Sequence, residues 1–174
     1  MSAAFFSCVC MAALLSDLLL PAQLYSSLPT NPFYTFFSGD FTLMVLTVFL
    51  LNLFLSALAV VTLPGALFFP LPMFSLLFRA TTWGLMIHSM TNRMLLTLLP
   101  TLMLEGEAYA LAAVAGTLLG ASWLLPKRVY PGEDVTRGEA FRKALKETLR
   151  IYVLITILLL ASAIVEAAAR AISG

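Results

Sequence analysis

The sequence predicts an all-α membrane protein, a polytopic bundle of about five transmembrane helices. Apolar residues make up 61% of the 174 residues and charged residues only 11%, with a mean hydropathy of +0.98. A soluble domain needs a charged surface and carries about 25% charged residues. Long apolar runs, separated by short polar or proline-rich breaks, account for the excess. No repeat or second domain interrupts this pattern, so residues 1–174 are predicted to form one integral membrane domain.

The predicted spans follow one another along the chain. Residues 3–20 lack the basic start and the small-residue cleavage site of a signal peptide, so we expect this first run to be retained as a helix. An aromatic, proline-containing loop at 21–40 precedes the second span. The remaining spans are predicted at residues 41–63, 68–90, 100–125 and 150–172. Around Pro100, the stretch 92–105 is expected to contain a re-entrant turn or a broken helix.

The distribution of basic residues predicts the orientation. Residues 126–150 hold seven of the ten Lys and Arg residues, and the positive-inside rule places such a loop in the cytoplasm. Counting spans then puts the loop 21–40 and the C-terminus outside and the N-terminus in the cytoplasm.

The same basic region, 126–149, is predicted to contain an amphipathic helix. Thr136 and Glu139 fit a capping box at its start. Its apolar positions recur at helical spacing: Phe141, Ala144, Leu145 and Leu149. Its basic positions are predicted to contact the inner leaflet or a partner: Arg142, Lys143 and Lys146. The alternative is a solvated helix that only fixes the topology.

Polar side chains inside the spans form the candidate site. A charge in the hydrocarbon costs at least ~2.5–3.5 kcal/mol, so such residues normally face protein or water and find a partner. The candidate intramembrane polar cluster consists of Asn52, Arg79, Glu105 and Glu166. Arg79 is expected to pair with Glu105, Glu166 or both, and a Glu166–Arg170 pair within one helix is the alternative for that acid. The cluster is either an ion, proton or substrate site or a structural network that fixes helix register.

Helical geometry separates the two acids of the fourth span. At 100° per residue, Glu105 shares the face of a row of small residues, whereas Glu107 lies on the other side and is expected near the outer interface. The row predicts close helix packing and consists of Ala108, Ala112, Gly116 and Gly120.

Motifs for other chemistry are not found in the sequence. There is no nucleophile–base set, glycine-rich phosphate loop or metal-ligand motif, and the single His88 has no Cys, His or Asp at ligand spacing. Cys8 and Cys10 are interpreted as small apolar helix residues. We therefore predict a protein that is not an enzyme and that uses no metal or cofactor. A net charge of +1 gives no indication of nucleic-acid binding.

Several short elements occur in a characteristic order. Asn52 is followed by "LPGALFFP", by "FRATTWG", by "PTLMLEGEAYALAAVAG" and finally by "ASAIVEAAAR". Over roughly residues 45–172 the chain resembles the stage II sporulation protein M family of small polytopic membrane proteins. In that pattern the acids at the positions of Glu105 and Glu166 and the glycine at Gly84 are kept. The chain departs from it at three positions, where Asn, His and Gly are usual: Arg79, Thr101 and Leu102.

The resemblance implies a role as a membrane anchor for peptidoglycan-remodelling enzymes in spore-forming bacteria. Our first hypothesis is therefore a non-enzymatic scaffold or accessory subunit in the lipid bilayer. It would bind other membrane proteins or a second copy, with the loop 21–40 and the helix within 126–149 as docking surfaces. The alternative is a small transporter or channel-like module that uses the polar cluster. An intramembrane enzyme is the least supported hypothesis.

Overall fold

The computed structural model describes residues 1–19, 40–88 and 92–173, and every regular element there is a helix. The all-α prediction is thus confirmed. The elements are α1 (Ser2–Leu19), α2 (Phe41–Leu50), a π-helical segment (Leu51–Thr62), α3 (Leu63–Leu67), α4 (Leu71–His88), α5 (Asn92–Leu124), α6 (Pro126–Val129) and α7 (Arg137–Ser173). The predicted outer loop, apart from its last residue, lies outside the described residues.

Within the described residues, three helical stretches are long and apolar enough to cross a membrane. They are Phe41–Leu67, Leu95–Leu124 and Arg137–Ala171. The apolar parts of α1 and α4 are shorter, Ser2–Leu15 and Leu71–Ile87. The longer of these two measures about 26 Å, against about 30 Å for a hydrocarbon core. The chain is therefore compatible with an integral membrane location, and five complete crossings with the N-terminus inside remain a prediction.

The second span is longer than predicted because the helix continues through Pro64. The carboxylate of Asp40 caps its start and accepts a hydrogen bond from the backbone N–H of Thr42 at 2.8 Å. The helix then widens into π geometry for 12 residues, and α3 extends it to Leu67. The chain leaves this helix and enters α4 only at 68–70.

Helix α5 corrects the prediction of a broken helix around Pro100. It runs without interruption from Asn92 to Leu124, with the proline inside it. Proline removes one backbone hydrogen bond, whereas a helix end at that point would leave up to four unpaired groups on each side. In an apolar environment, a continuous helix through Pro100 therefore costs less free energy than a helix that ends there.

Helices α5 and α7 form the central pair and run antiparallel. The hydroxyl of Thr148 donates to the carbonyl of Ala115 at 3.5 Å, and that of Ser162 donates to the carboxylate of Glu105 at 3.3 Å. Residues later in α7 therefore contact residues earlier in α5.

Aromatic rings join α1 and α4 to this pair. The rings of Phe5 and Trp83 lie 5.5 Å apart, and those of Trp83 and Tyr109 lie 5.9 Å apart, both in edge-to-face geometry. At Gly84 the backbones of α4 and α1 come so close that a Cβ would lie 2.9 Å from the backbone nitrogen of Ala13.

The start of α7 differs from the predicted amphipathic helix in the face that it buries. The capping box forms, because Thr136 and Glu139 exchange side-chain and backbone hydrogen bonds. Small residues then pack against the protein on one side of the helix, namely Ala140, Ala144 and Thr148, while Leu145 and Leu149 are exposed. The segment continues into the last span as one helix instead of forming a separate surface helix.

Candidate functional site, a polar cluster inside the helix bundle

Glu105 is the centre of the cluster. Only 6% of the residue is exposed, and one carboxylate oxygen, Oε1, accepts both of its hydrogen bonds. Asn52 donates from Nδ2 at 2.6 Å, and Ser162 donates from its hydroxyl at 3.3 Å. Because the donors belong to the π-helical segment and to α7, Glu105 connects three elements through one oxygen atom.

Asn52 reaches Glu105 from the second position of the π-helical segment. Its neighbours along the chain are apolar, so the amide is the one strongly polar side chain in that part of the helix. In an apolar environment an amide without a partner is costly, which favours the short bond to a carboxylate. π-helical turns are rare and frequently occur at functional sites. The sequence indicated the importance of Asn52 but gave no sign of the π geometry.

Ser162 is a member of the cluster that the sequence analysis did not select. Its hydroxyl lies 3.3 Å from Glu105 and 3.4 Å from the carbonyl oxygen of Thr101, so its single proton is shared between two acceptors on α5. A usable signal was present in the sequence, since Ser162 lies four residues before Glu166 and therefore on the same helical face.

Arg79 does not make the ion pair that we expected. Its Nη2 donates to the hydroxyl of Tyr109 at 2.8 Å, and its guanidinium carbon lies 4.1 Å from the centre of the Tyr109 ring. The ring of Trp83 lies further away, at 5.8 Å. Tyr109 follows Glu105 by one helical turn, and it offers both a ring face and an oxygen atom to the cation. The Nε of Arg79 is buried without a hydrogen-bond partner.

Glu166 forms the intrahelical pair that we gave as its alternative. Arg170 donates from Nη2 to its Oε1 at 2.7 Å, four residues along α7. The acid is 7% exposed, whereas the Arg170 side chain is 41% exposed. Of the four predicted residues, Asn52 and Glu105 are thus in direct contact, whereas Arg79 binds Tyr109 and Glu166 binds Arg170.

The four small residues of α5 are all buried, and the two glycines lie against α3. A Cβ on Gly65 would lie 2.6 Å from the carbonyl oxygen of Gly116, and one on Gly120 would collide with the carbonyl oxygen of Gly65. The indole N–H of Trp123 donates to the carbonyl of Ala66 at 2.7 Å. Ala108 and Ala112 continue the row toward Glu105 and are fully buried.

A second polar contact lies between the small row and the cluster. Thr62, the last residue of the π-helical segment, donates from its hydroxyl to the carbonyl of Ala112 at 3.0 Å. It also accepts a hydrogen bond from the hydroxyl of Tyr152 on α7 at 2.7 Å. The π-helical segment is thus bonded to α5 at both of its ends and to α7 at its Thr62 end.

Glu107 points away from the cluster, as helical geometry requires. It is exposed on α5, and its Oε2 accepts a hydrogen bond from the hydroxyl of Ser2 at 2.6 Å. This contact joins the start of α1 to α5 beside Gly106, against which Phe5 and Phe6 lie.

The basic side chains at the start of α7 have different environments. Lys143 forms an ion pair with Glu133 and lies 5.5 Å from the centre of the Tyr130 ring. Arg142 and Lys146 are exposed and form no ion pair within the described part of the chain.

The cluster consists of a buried carboxylate, an amide, a hydroxyl and a cation held on an aromatic ring. Such groups can fasten helices, and a carboxylate can also hold a proton or a small cation. Within residues 1–19, 40–88 and 92–173, no three His, Cys, Asp or Glu residues are grouped so that they could hold a metal ion.

The comparison with known families is decisive. Residues 1–169 match the family described as stage II sporulation protein M. The chain belongs to this family. The match includes α1, which lay outside the stretch on which the sequence resemblance was based. No curated protein and no solved structure matches the chain. Asn52 and Glu105, two of the residues that carried the resemblance, are the pair in direct contact in the structure.

Proposed function

We propose that this protein is a non-enzymatic membrane scaffold or accessory subunit that positions partner proteins in the bilayer. The contact set of Glu105 supports this proposal most directly. Both donors to the carboxylate are neutral side chains on other elements, so the buried charge is used to fasten the π-helical segment, α5 and α7. A bundle fastened in this way presents a fixed outer surface to its partners.

The exposed aromatic row of α4 is the surface that we propose for a partner helix. Phe74 and Phe78 are 65% and 73% exposed and lie one turn apart, on a helix shorter than a hydrocarbon core is thick. A neighbouring transmembrane helix would cover these rings more completely than mobile lipid chains do, with a gain in van der Waals contact. The proposal keeps the predicted topology, with the N-terminus in the cytoplasm and the C-terminus outside.

Photocrosslinking in native membranes tests the scaffold proposal. A photoreactive phenylalanine analogue is placed at position 74 or 78 and, as a matched control, at Leu76, which is 1% exposed on the same helix. We expect one discrete crosslinked protein from the two outer positions and none from the control. Crosslinks to lipid alone at both outer positions would contradict a partner on this face.

The second candidate function is a small transporter or channel-like module. It is favoured by the rare π geometry at Asn52 and by two buried acids, Glu105 and Glu166, on the central helix pair. Purified protein in liposomes, loaded with a pH-sensitive or potassium-sensitive dye, tests it. Flux above that of empty liposomes that disappears in Glu105→Gln would support transport. Equal signals for the wild type, the variant and empty liposomes would exclude it for these ions.

A further inference from the structure

Helix α7 continues without a break from the polar end of the bundle into the apolar span. It begins at Arg137 and ends at Ser173, so angular positions can be compared along its length. Its outward face in the span is apolar and exposed, and this face includes Val153, Ile157, Leu160 and Ile164. In a membrane this face meets lipid, because the opposite face packs on α5.

Two basic side chains lie on the extension of the same face. At 100° per residue, Arg142 and Lys146 each lie within about 20° of Val153 around the helix axis. Lys143 lies about 80° away and Arg137 about 160° away by the same measure. Lys146 precedes Val153 by about 10 Å along the axis, which exceeds the roughly 5–8 Å that the headgroup region adds on each side of the hydrocarbon core. The outward surface of α7 thus changes from apolar to basic over a distance that can separate acyl chains from headgroups.

Three of the four acids between residues 133 and 147 have partners. Glu139 accepts hydrogen bonds from Thr136, Glu147 pairs with Arg150, and Glu133 pairs with Lys143. Arg142 and Lys146 are both exposed and lie four residues apart, so their heads can approach one anionic group from the same side.

We propose that Arg142 and Lys146 bind the phosphate of an anionic phospholipid in the leaflet at this end of the bundle. The guanidinium can hold two phosphate oxygens at once, and the ammonium adds a point charge. The continuity of the basic pair with the lipid-facing apolar row selects a lipid over an acidic protein segment. This inference does not depend on the scaffold proposal.

Native mass spectrometry of the full chain in detergent tests the lipid site. The protein is titrated with phosphatidylglycerol and, separately, with phosphatidylcholine of the same acyl chains. We expect tighter binding of phosphatidylglycerol, weakened roughly fivefold by Arg142→Gln or Lys146→Gln and roughly 25-fold by both together. Arg137→Gln and Lys143→Gln remove the same charge elsewhere on α7 and are expected to leave the preference unchanged.

Four results would overturn the lipid site. The first is a double variant that is folded by circular dichroism and still prefers phosphatidylglycerol. The second is an equal loss of phosphatidylglycerol affinity in Arg137→Gln, which would show that the preference depends only on net charge. The third is equal affinity for glycerophosphoglycerol, which lacks acyl chains and would assign the pair to free phosphate. A wild type without any preference for phosphatidylglycerol would leave an acidic protein segment as the occupant.

Discussion

Glu105 keeps its carboxylate inside an apolar bundle because two neutral donors reach one of its oxygens. Asn52 provides the shorter bond, at 2.6 Å, and Ser162 the longer one, at 3.3 Å. Removal of a donor leaves a buried acceptor without compensation, which costs more than the bond itself contributes. The stability of the bundle should therefore depend on these two donors in the order of their distances.

Asn52→Ala is expected to lower the free energy of unfolding by about 1.5–3 kcal/mol, the range for a hydrogen bond to a charged group. Ser162→Ala is the matched comparison and should cost less, since its proton is shared with the carbonyl of Thr101. Titration of micelles with a denaturing detergent measures both. A larger loss in Ser162→Ala would contradict the assigned order.

The ring of Tyr109 should stabilise the buried guanidinium of Arg79 more than the hydroxyl of Tyr109 does. Tyr109→Phe keeps the ring beneath the guanidinium and is expected to cost about 0.5–1.5 kcal/mol, the net value of one hydrogen bond. Tyr109→Leu removes the cation–π contact as well as the hydroxyl and should cost about 2 kcal/mol more at a desolvated site. Equal losses in the two variants, in the same detergent titration, would show that the ring contributes nothing.

The polar side chains inside the spans could be read from the sequence, and so could the Glu166–Arg170 pair, but the partners of Arg79 and Glu105 could not. A charged or amide side chain in an apolar run is visible in the sequence, and helical spacing placed Glu105 on the packed face. Which group meets which depends on the crossing of helices that are distant in the chain. The guanidinium of Arg79 therefore binds Tyr109 and not the acid that we had expected. Ser162 of α7 is an additional donor to Glu105.

For the helices too, some features could be predicted from the sequence and others could not. Apolar runs and the basic region located the helices, and the capping box at Thr136 formed as its sequence pattern indicates. The π geometry after Leu50 has no sequence signature that we could use, and Pro100 suggested a break that tertiary packing does not allow. Proline is an ambiguous signal in membrane helices, because the cost of an open helix end exceeds that of one missing bond.

The packing of α5 at Gly116 against Thr62 and Pro72 should be highly sensitive to added volume. A Cβ at position 116 would lie 2.9 Å from both the Pro72 ring and the carbonyl oxygen of Thr62. Gly116→Ala is therefore expected to lower the melting temperature in detergent, with a loss of about 1–3 kcal/mol. The matched control is Gly138→Ala, whose Cβ would meet nothing within 4 Å.

The stability of the control variant should change in the opposite direction. Alanine has a higher helix propensity than glycine, so Gly138→Ala is expected to be neutral or to stabilise the protein by up to about 1 kcal/mol. A comparable loss in both variants would show that the close packing at Gly116 does not limit stability.

At the scale of the whole molecule, three long apolar helices accompany two shorter ones. The long helices carry Asn52, Glu105 and Glu166, and the short α4 carries Arg79 and the exposed aromatic row. The polar groups thus point inward and fasten the bundle, while large apolar side chains cover its outside. This division is what a lipid bilayer requires of an integral membrane protein, and it is compatible with membership of the stage II sporulation protein M family.

The mass of the complex extracted from native membranes in mild detergent tests the scaffold proposal most directly. Native mass spectrometry of the affinity-tagged chain is the measurement, with reciprocal purification through the partner as a control. We predict a species heavier than one 18.9 kDa chain by a different protein in fixed ratio. A lone chain that conducts ions in liposomes, and loses this activity in Glu105→Gln, would contradict the proposal.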